Sequence, residues 1–177
     1  MTSSPFEILG LPRTFDLDEG AIRRAYLARV AALHPDLAEA EDAQAESAEL
    51  NRARDVLVDP ESRANLLLSL LGGPPKEADK SLPPAFLMEI METREAIESS
   101  LASGDEAERK RWSDWGLKER SKYVGQVKGQ FAGLGASPDP GALRELRKTL
   151  NAWRYIERLI EQLDPAYDPN SADFNSP

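Results

Sequence analysis

Apolar residues recur along this chain at helical spacing almost throughout, and no alternating run of β-branched residues reads as a strand. The expected class is all-α. Pro5 to Leu9 predicts a short helix, stopped by Gly10 and Pro12. Asp18 is a good N-cap for a second, with Leu17 and Ile22 spaced for a hydrophobic staple. Ile22, Tyr26, Val30 and Leu33 continue it as an apolar stripe. It should end at His34-Pro35, because a residue before proline is pushed out of helical geometry. A third helix is expected from about Asp42 to Val58, with Leu50, Ala53 and Leu57 inward. Asp59-Pro60 breaks it, and Pro60 can open a fourth, Glu61 to Leu71. The two longer helices facing one another would make a small hairpin core.

Gly72-Gly73-Pro74-Pro75 and the charged residues up to Lys80 mark a domain boundary. The expected organisation is a first domain over 4–73, a linker over 74–82, a three-helix bundle over 83–165 and a flexible tail over 166–177. Leu82-Pro83-Pro84 reads as a helix start, with proline at its first position. From Pro84 to about Leu101, Phe86, Ile90, Ile97 and Leu101 share a core stripe. Leu87, Met88 and Met91 fall progressively off it, and Glu92 and Glu95 lie on the same outer side. One helix thus has more apolar surface than one core needs, and methionines bordered by acids suit an adaptable protein-binding face. A middle helix from Asp105 to about Leu134 carries Trp112, Trp115, Tyr123, Val127 and Phe131 as bundle core, weakened by Gly116, Gly125 and Gly129. The glycines and prolines from Gly133 to Gly141 make a turn. In the last helix Leu143, Leu146, Leu150 and Trp153 form the core stripe, and Tyr155 points away from it.

Composition narrows the chemistry. The chain has 177 residues, 41% hydrophobic and 30% charged, as expected of a soluble protein. Its apolar runs are too short to cross a bilayer and the first ten residues lack a basic leader, so a cytoplasmic protein without membrane association is expected. Net charge is −9, which disfavours nucleic acid. There is no cysteine and one histidine, His34, which removes disulfides, thiolate metal sites, a cysteine nucleophile and most triads. Carboxylates are abundant, but no spatially specified pair suggests a hydrolase. The expectation is recognition rather than catalysis, with no cofactor and no metal.

The loop between the second and third helices begins His34-Pro35-Asp36. By chance this tripeptide appears in roughly one chain of this length in a hundred. Here it stands at a helix junction, with Phe6-Glu7-Ile8-Leu9-Gly10-Leu11, Ile22-Arg23-Arg24-Ala25-Tyr26, Leu50-Asn51 and Asp59-Pro60-Glu61-Ser62-Arg63 around it. From Pro5 to about Gly72 the sequence therefore resembles the J-domain proteins. The resemblance implies a docking loop for a DnaK/HscA-type chaperone ATPase, with His34, Pro35 and Asp36 at its tip. It also implies a contribution from Tyr26 and from the basic second helix, where Arg23, Arg24 and Arg29 stand with no acid between Ala21 and Leu33. Such a patch in an acidic protein can steer docking onto an acidic surface. Leu27, Ala28 and Leu37 stand where more basic residues are usual in the family, which suggests a dedicated partner. Arg29 falls near the apolar stripe, so it must reach outward or pair with an acid of the third helix.

Leu67-Leu68-Ser69-Leu70-Leu71-Gly72, Ala85-Phe86-Leu87-Met88-Glu89 with Glu92, Arg94 and Glu95, Leu146-Arg147-Lys148 and Arg154-Tyr155-Ile156-Glu157 extend the likeness to about Asp164. Together they resemble the HscB-type J-proteins of iron–sulfur cluster assembly. That resemblance implies an L-shaped molecule that presents an IscU-type scaffold protein to the chaperone. The scaffold would be held through Leu87, Met88, Met91, Glu92, Glu95 and Tyr155, the last standing where phenylalanine is usual. A monomer or weak dimer is expected. The alternatives are a J-protein serving a different client and a helical interaction module whose J-loop is vestigial.

Overall fold

The computed structural model describes residues 3–33 and 40–164, the side chains of 40–43 excepted. The His34-Pro35-Asp36 tripeptide, Leu37 and the expected tail lie outside the described residues. Seven helices and no strand occur among the described residues: α1 (Pro5–Leu9), α2 (Glu19–Ala32), α3 (Ala40–Val58), α4 (Pro60–Leu70), α5 (Phe86–Ser103), α6 (Glu106–Gly133) and α7 (Pro140–Leu163). The chain divides into two compact units, Met1–Leu67 and Leu68–Pro177. None of the described helices is long and apolar enough to cross a membrane.

In the first unit, local chemistry sets the helix ends. Ser4 accepts from the Glu7 backbone N–H, and the Glu7 carboxylate accepts from the Ser4 N–H at 2.8 Å, a reciprocal cap for α1. Gly10 closes α1 in the left-handed region at φ 68°. The Asp18 carboxylate caps α2 by accepting from the Ala21 N–H at 2.8 Å. The last helical residue of α2 is Ala32, with Leu33 as its C-cap. α1 and α2 both pack on α3 and on each other. Phe6, Leu9, Phe15, Ile22, Leu50, Ala53 and Leu57 are buried. Val30 departs from the expected stripe. It is exposed at the end of α2, and Leu33 is half-buried, so full burial on α2 is confined to Ile22 in its first half. Arg63 is buried at the start of α4. Its guanidinium donates to the Leu57 carbonyl at the end of α3 and lies 5.2 Å over the Phe15 ring. One cation thereby serves the C-terminal dipole of α3 and an aromatic face.

The second unit is a bundle in which α7 packs on α6 and α5, and α5 also meets α6. α7 buries two adjoining stripes, Leu143, Leu146, Leu150 and Trp153 with Ala152, Ile156, Leu159 and Leu163, because it has two neighbours to cover. Phe86, Ile90 and Ile97 of α5 are buried as expected, whereas Leu101 is half-covered. In α6 Tyr123 and Val127 are buried, while Trp112, Trp115 and Phe131 are only half-buried, the two tryptophans meeting edge to face at 5.6 Å. Three glycines do not break α6. Gly125 and Gly129 face open space, but at Gly116 an added Cβ would lie 2.8 Å from Ile160 Cγ1. The backbone of α6 thus rests directly on α7 at that point. The buried Glu157 carboxylate joins the same two helices. It accepts from Trp153 Nε1 at 2.7 Å and from Arg120 Nε at 2.8 Å, and the Arg120 terminal nitrogen binds its second oxygen. A buried carboxylate with this many donors is satisfied rather than costly.

The entry to α5 differs from the expected proline start. α5 begins at Phe86, because the Phe86 N–H bonds to the Pro83 carbonyl at 3.2 Å and closes a turn over Pro84 and Ala85. Ala85 takes φ 63° and ψ −14°, the third position of a type II turn, with Pro84 at the second where proline is favoured. Just upstream the chain is strapped to α7. Asn151 Nδ2 donates to the carbonyls of Asp79 and Ser81, each at 2.9 Å. The Asp79 carboxylate accepts from Ser81 Oγ at 2.5 Å and from the Ser81 N–H at 3.0 Å.

Two outcomes are expected from this packing. Gly116→Ala should destabilise the bundle by about 1–2 kcal/mol net in urea denaturation, overpacking against Ile160 outweighing the gain in helix propensity. The open Gly125→Ala and Gly129→Ala should instead stabilise it by about 0.5–1 kcal/mol each. Shifts of one sign at all three positions would contradict the close approach. The bonds from Ser81, with Lys148 and Arg147 nearby, hold the Asp79 carboxyl below its ordinary value. A depressed acid stabilises the strap above its unfolded value and loses that contribution as pH falls through the folded one. The Ser81 amide resonance should therefore titrate with a midpoint below 3.8. A midpoint at or above 3.8 would show the contact is not made.

Candidate docking surfaces

On α2, Arg23, Arg24 and Arg29 are all exposed. Arg24 pairs with the α2 cap residue Asp18 at 3.6 Å, but both are largely in water and the pair contributes little. Arg29 resolves its place near the apolar stripe by reaching outward over Gly10, where an added Cβ would stand 3.0 Å from its guanidinium. Its charge then sits at the C-terminal end of α1, a favourable position for a cation. Tyr26 is half-buried. Its hydroxyl donates to Asn51 Oδ1 of α3 at 2.7 Å, and the Arg54 guanidinium lies 4.8 Å over its ring. The tyrosine thus locks α2 to α3, and only its outer edge remains for a partner. Arg23, Tyr26, Leu27, Arg54 and Val58 line a shallow groove on this unit. Arg54 and Val58 were not singled out by sequence, because nothing in a one-dimensional pattern places the end of α3 beside the middle of α2.

In the second unit, Leu87 is 52% exposed, Met88 70% and Met91 63%, and Glu92 and Glu95 are also in solvent. Met88 is three and four residues from Met91 and Glu92, and these are four and three from Glu95, so the four side chains form one ridge along α5. α7 brings Tyr155 to the head of this ridge. Its ring stands edge-on to Phe86 at 6.0 Å and an interplanar angle of 71°, and it stays 39% exposed. Phe86 is the buried foot of this surface, and Leu87 and Met88 follow it in the chain. α5 thus carries five of the six expected residues, and α7 places the sixth, Tyr155, against Phe86 at the start of α5. Asn151, one turn before Tyr155 on α7, was not foreseen. Its partners are backbone carbonyls, which leave no trace in side-chain chemistry. No group of three or more His, Asp or Glu residues that could hold a metal ion occurs among the described residues.

Comparison with known proteins identifies two domains in the chain. Residues 4–66 match the DnaJ domain, and residues 82–164 match the HSCB C-terminal oligomerisation domain. The chain is similar to the co-chaperone protein HscB homolog of Paraburkholderia phymatum, 34% identical over 171 residues, spanning 92% of this chain and 93% of that one. It is 43% identical over 90 residues to the mitochondrial J-type co-chaperone jac1 of Schizosaccharomyces pombe, a match covering 49% of this chain and 40% of that protein. Among solved structures, chaperone HscB from Vibrio cholerae matches with a TM-score of 0.73 at 30% identity, covering 91% of this chain and 95% of the other. With a J-domain at its start, an HscB-type bundle after it and near full-length relatives, the chain belongs to the HscB family of J-domain co-chaperones.

Proposed function

We propose that this protein binds an IscU-type iron–sulfur scaffold on the α5–α7 face and presents it to a DnaK/HscA-type ATPase that docks on the J-domain. It works in the cytoplasm by binding both partners, with no chemical step of its own. The observation that carries this reading is the exposed Leu87–Met88–Met91 ridge, headed by Tyr155 and flanked by Glu92 and Glu95, on a helix whose Phe86, Ile90 and Ile97 already fill its core stripe. Apolar side chains left in water at this density are a docking surface, and methionine and tyrosine adapt well to a partner. The acids beside it favour a scaffold surface that is apolar with a basic border.

On the J-domain side, exposed Arg23, Arg24 and Arg29 supply positive potential along α2. His34, Pro35 and Asp36 provide the contact that biases the ATPase toward hydrolysis, a coupling between two binding events. Two measurements test the two halves. In single-turnover ATP hydrolysis by the cognate chaperone, the protein should accelerate the reaction and His34→Gln should abolish that acceleration. An unaltered rate would mean a vestigial loop. In calorimetric titration, replacing Met88 and Met91 together by alanine should weaken scaffold binding by about 1–3 kcal/mol. Equal affinity before and after would move the scaffold elsewhere and leave a different client for this face.

A further inference from the structure

We propose that the scaffold-binding face continues from α5 onto the turn Leu82-Pro83-Pro84-Ala85, which α7 holds rigid as a second edge of the interface. The inference rests on the scaffold reading above and names further residues of the same surface. The chain here is pinned to α7 at two points. Asn151 grips the carbonyls of Asp79 and Ser81, and Tyr155 packs on Phe86. Those two anchors lie one helical turn apart, about 6 Å. From Ser81 to Phe86 the chain could extend about 17 Å. The excess length has to double back, and it does so in the turn closed by the Phe86 N–H to Pro83 carbonyl bond.

The consequence is a short protrusion beside the apolar ridge. Leu82 and Pro83 are half-buried, Pro84 and Ala85 are exposed, and Leu87 and Met88 follow directly on α5. Two prolines leave the protrusion few conformations to lose when a partner covers it. Ala85 supplies a second sign of constraint, since it holds a positive φ that alanine rarely adopts. The occupant is the scaffold protein itself, because the turn is continuous with the ridge and shares its chemistry. Both are apolar, and Glu89, Glu92 and Glu95 stand exposed nearby.

The test is titration of the full chain with its IscU-type scaffold protein, alongside far-UV circular dichroism to confirm folding. Pro84→Lys puts a cation where a basic-bordered partner would arrive, and should raise Kd about tenfold or more. Asn151→Ala frees the strap while leaving the ridge intact, and should raise Kd about threefold. In the unmutated protein, the Ala85 methyl resonance should shift as unlabelled scaffold is added. If Met88→Ala weakens binding while Pro84→Lys and Asn151→Ala bind as the parent does and the Ala85 methyl stays still, the extension is wrong and the ridge stands. If Met88→Ala also binds as the parent does, the scaffold reading fails and this inference falls with it.

Discussion

The close approach of α6 to α7 is the constraint on which the second unit depends. Gly116 lays backbone against Ile160, and Glu157, held by Trp153 and Arg120, ties the same helices together a turn away. These contacts set the rotation of α7 about its own axis. Once Trp153, Ile156 and Glu157 face inward, Tyr155 has to face out, on the side where α5 begins. A glycine with no room for a methyl group therefore helps decide where an exposed tyrosine stands.

The same rotation presents Asn151 to the incoming chain. Its amide satisfies two backbone carbonyls that would otherwise need water, and the segment over 79–81 becomes part of the bundle rather than a free tether. The Asp79–Ser81 turn reinforces it with two hydrogen bonds to one carboxylate. α7 is thus core on two stripes, strap on a third face and bearer of an exposed aromatic at Tyr155. That explains why it needs a long, regular register with no glycine after Gly141.

The first unit follows a different economy. It is small, so polar groups do more of the locking: Tyr26 to Asn51, Arg54 over the Tyr26 ring, Arg63 between the Leu57 carbonyl and the Phe15 face. Each of these commits a side chain to holding the fold. Tyr26 is the clearest case, a residue the family resemblance marks for docking that the fold uses to hold its hairpin. The arginines of α2 remain in solvent, Arg24 beside Asp18 and Arg29 over Gly10.

Helix existence and inward faces were legible from sequence wherever a local rule was strong. Asp18 as a cap, Gly10 as a stop, and Leu50, Ala53 and Leu57 as one face all depend on residues within a few positions of each other. The off-core placement of Leu87, Met88 and Met91 was legible for the same reason, since helical angle alone decides it. The start of α5 was not. Proline before Phe86 satisfied a helix-start rule equally well, and only the pull of Tyr155 and Asn151 on either side converted it into a turn. Val30 and Phe131 fell on apolar stripes by period, yet Val30 is exposed and Phe131 only half-buried. Gly116 looked like a weakness, and its use appears only when Ile160 arrives from 44 positions later in the chain. Local spacing fixes what a segment can be; which of its faces is covered depends on partners distant in sequence, and packing alone chooses those.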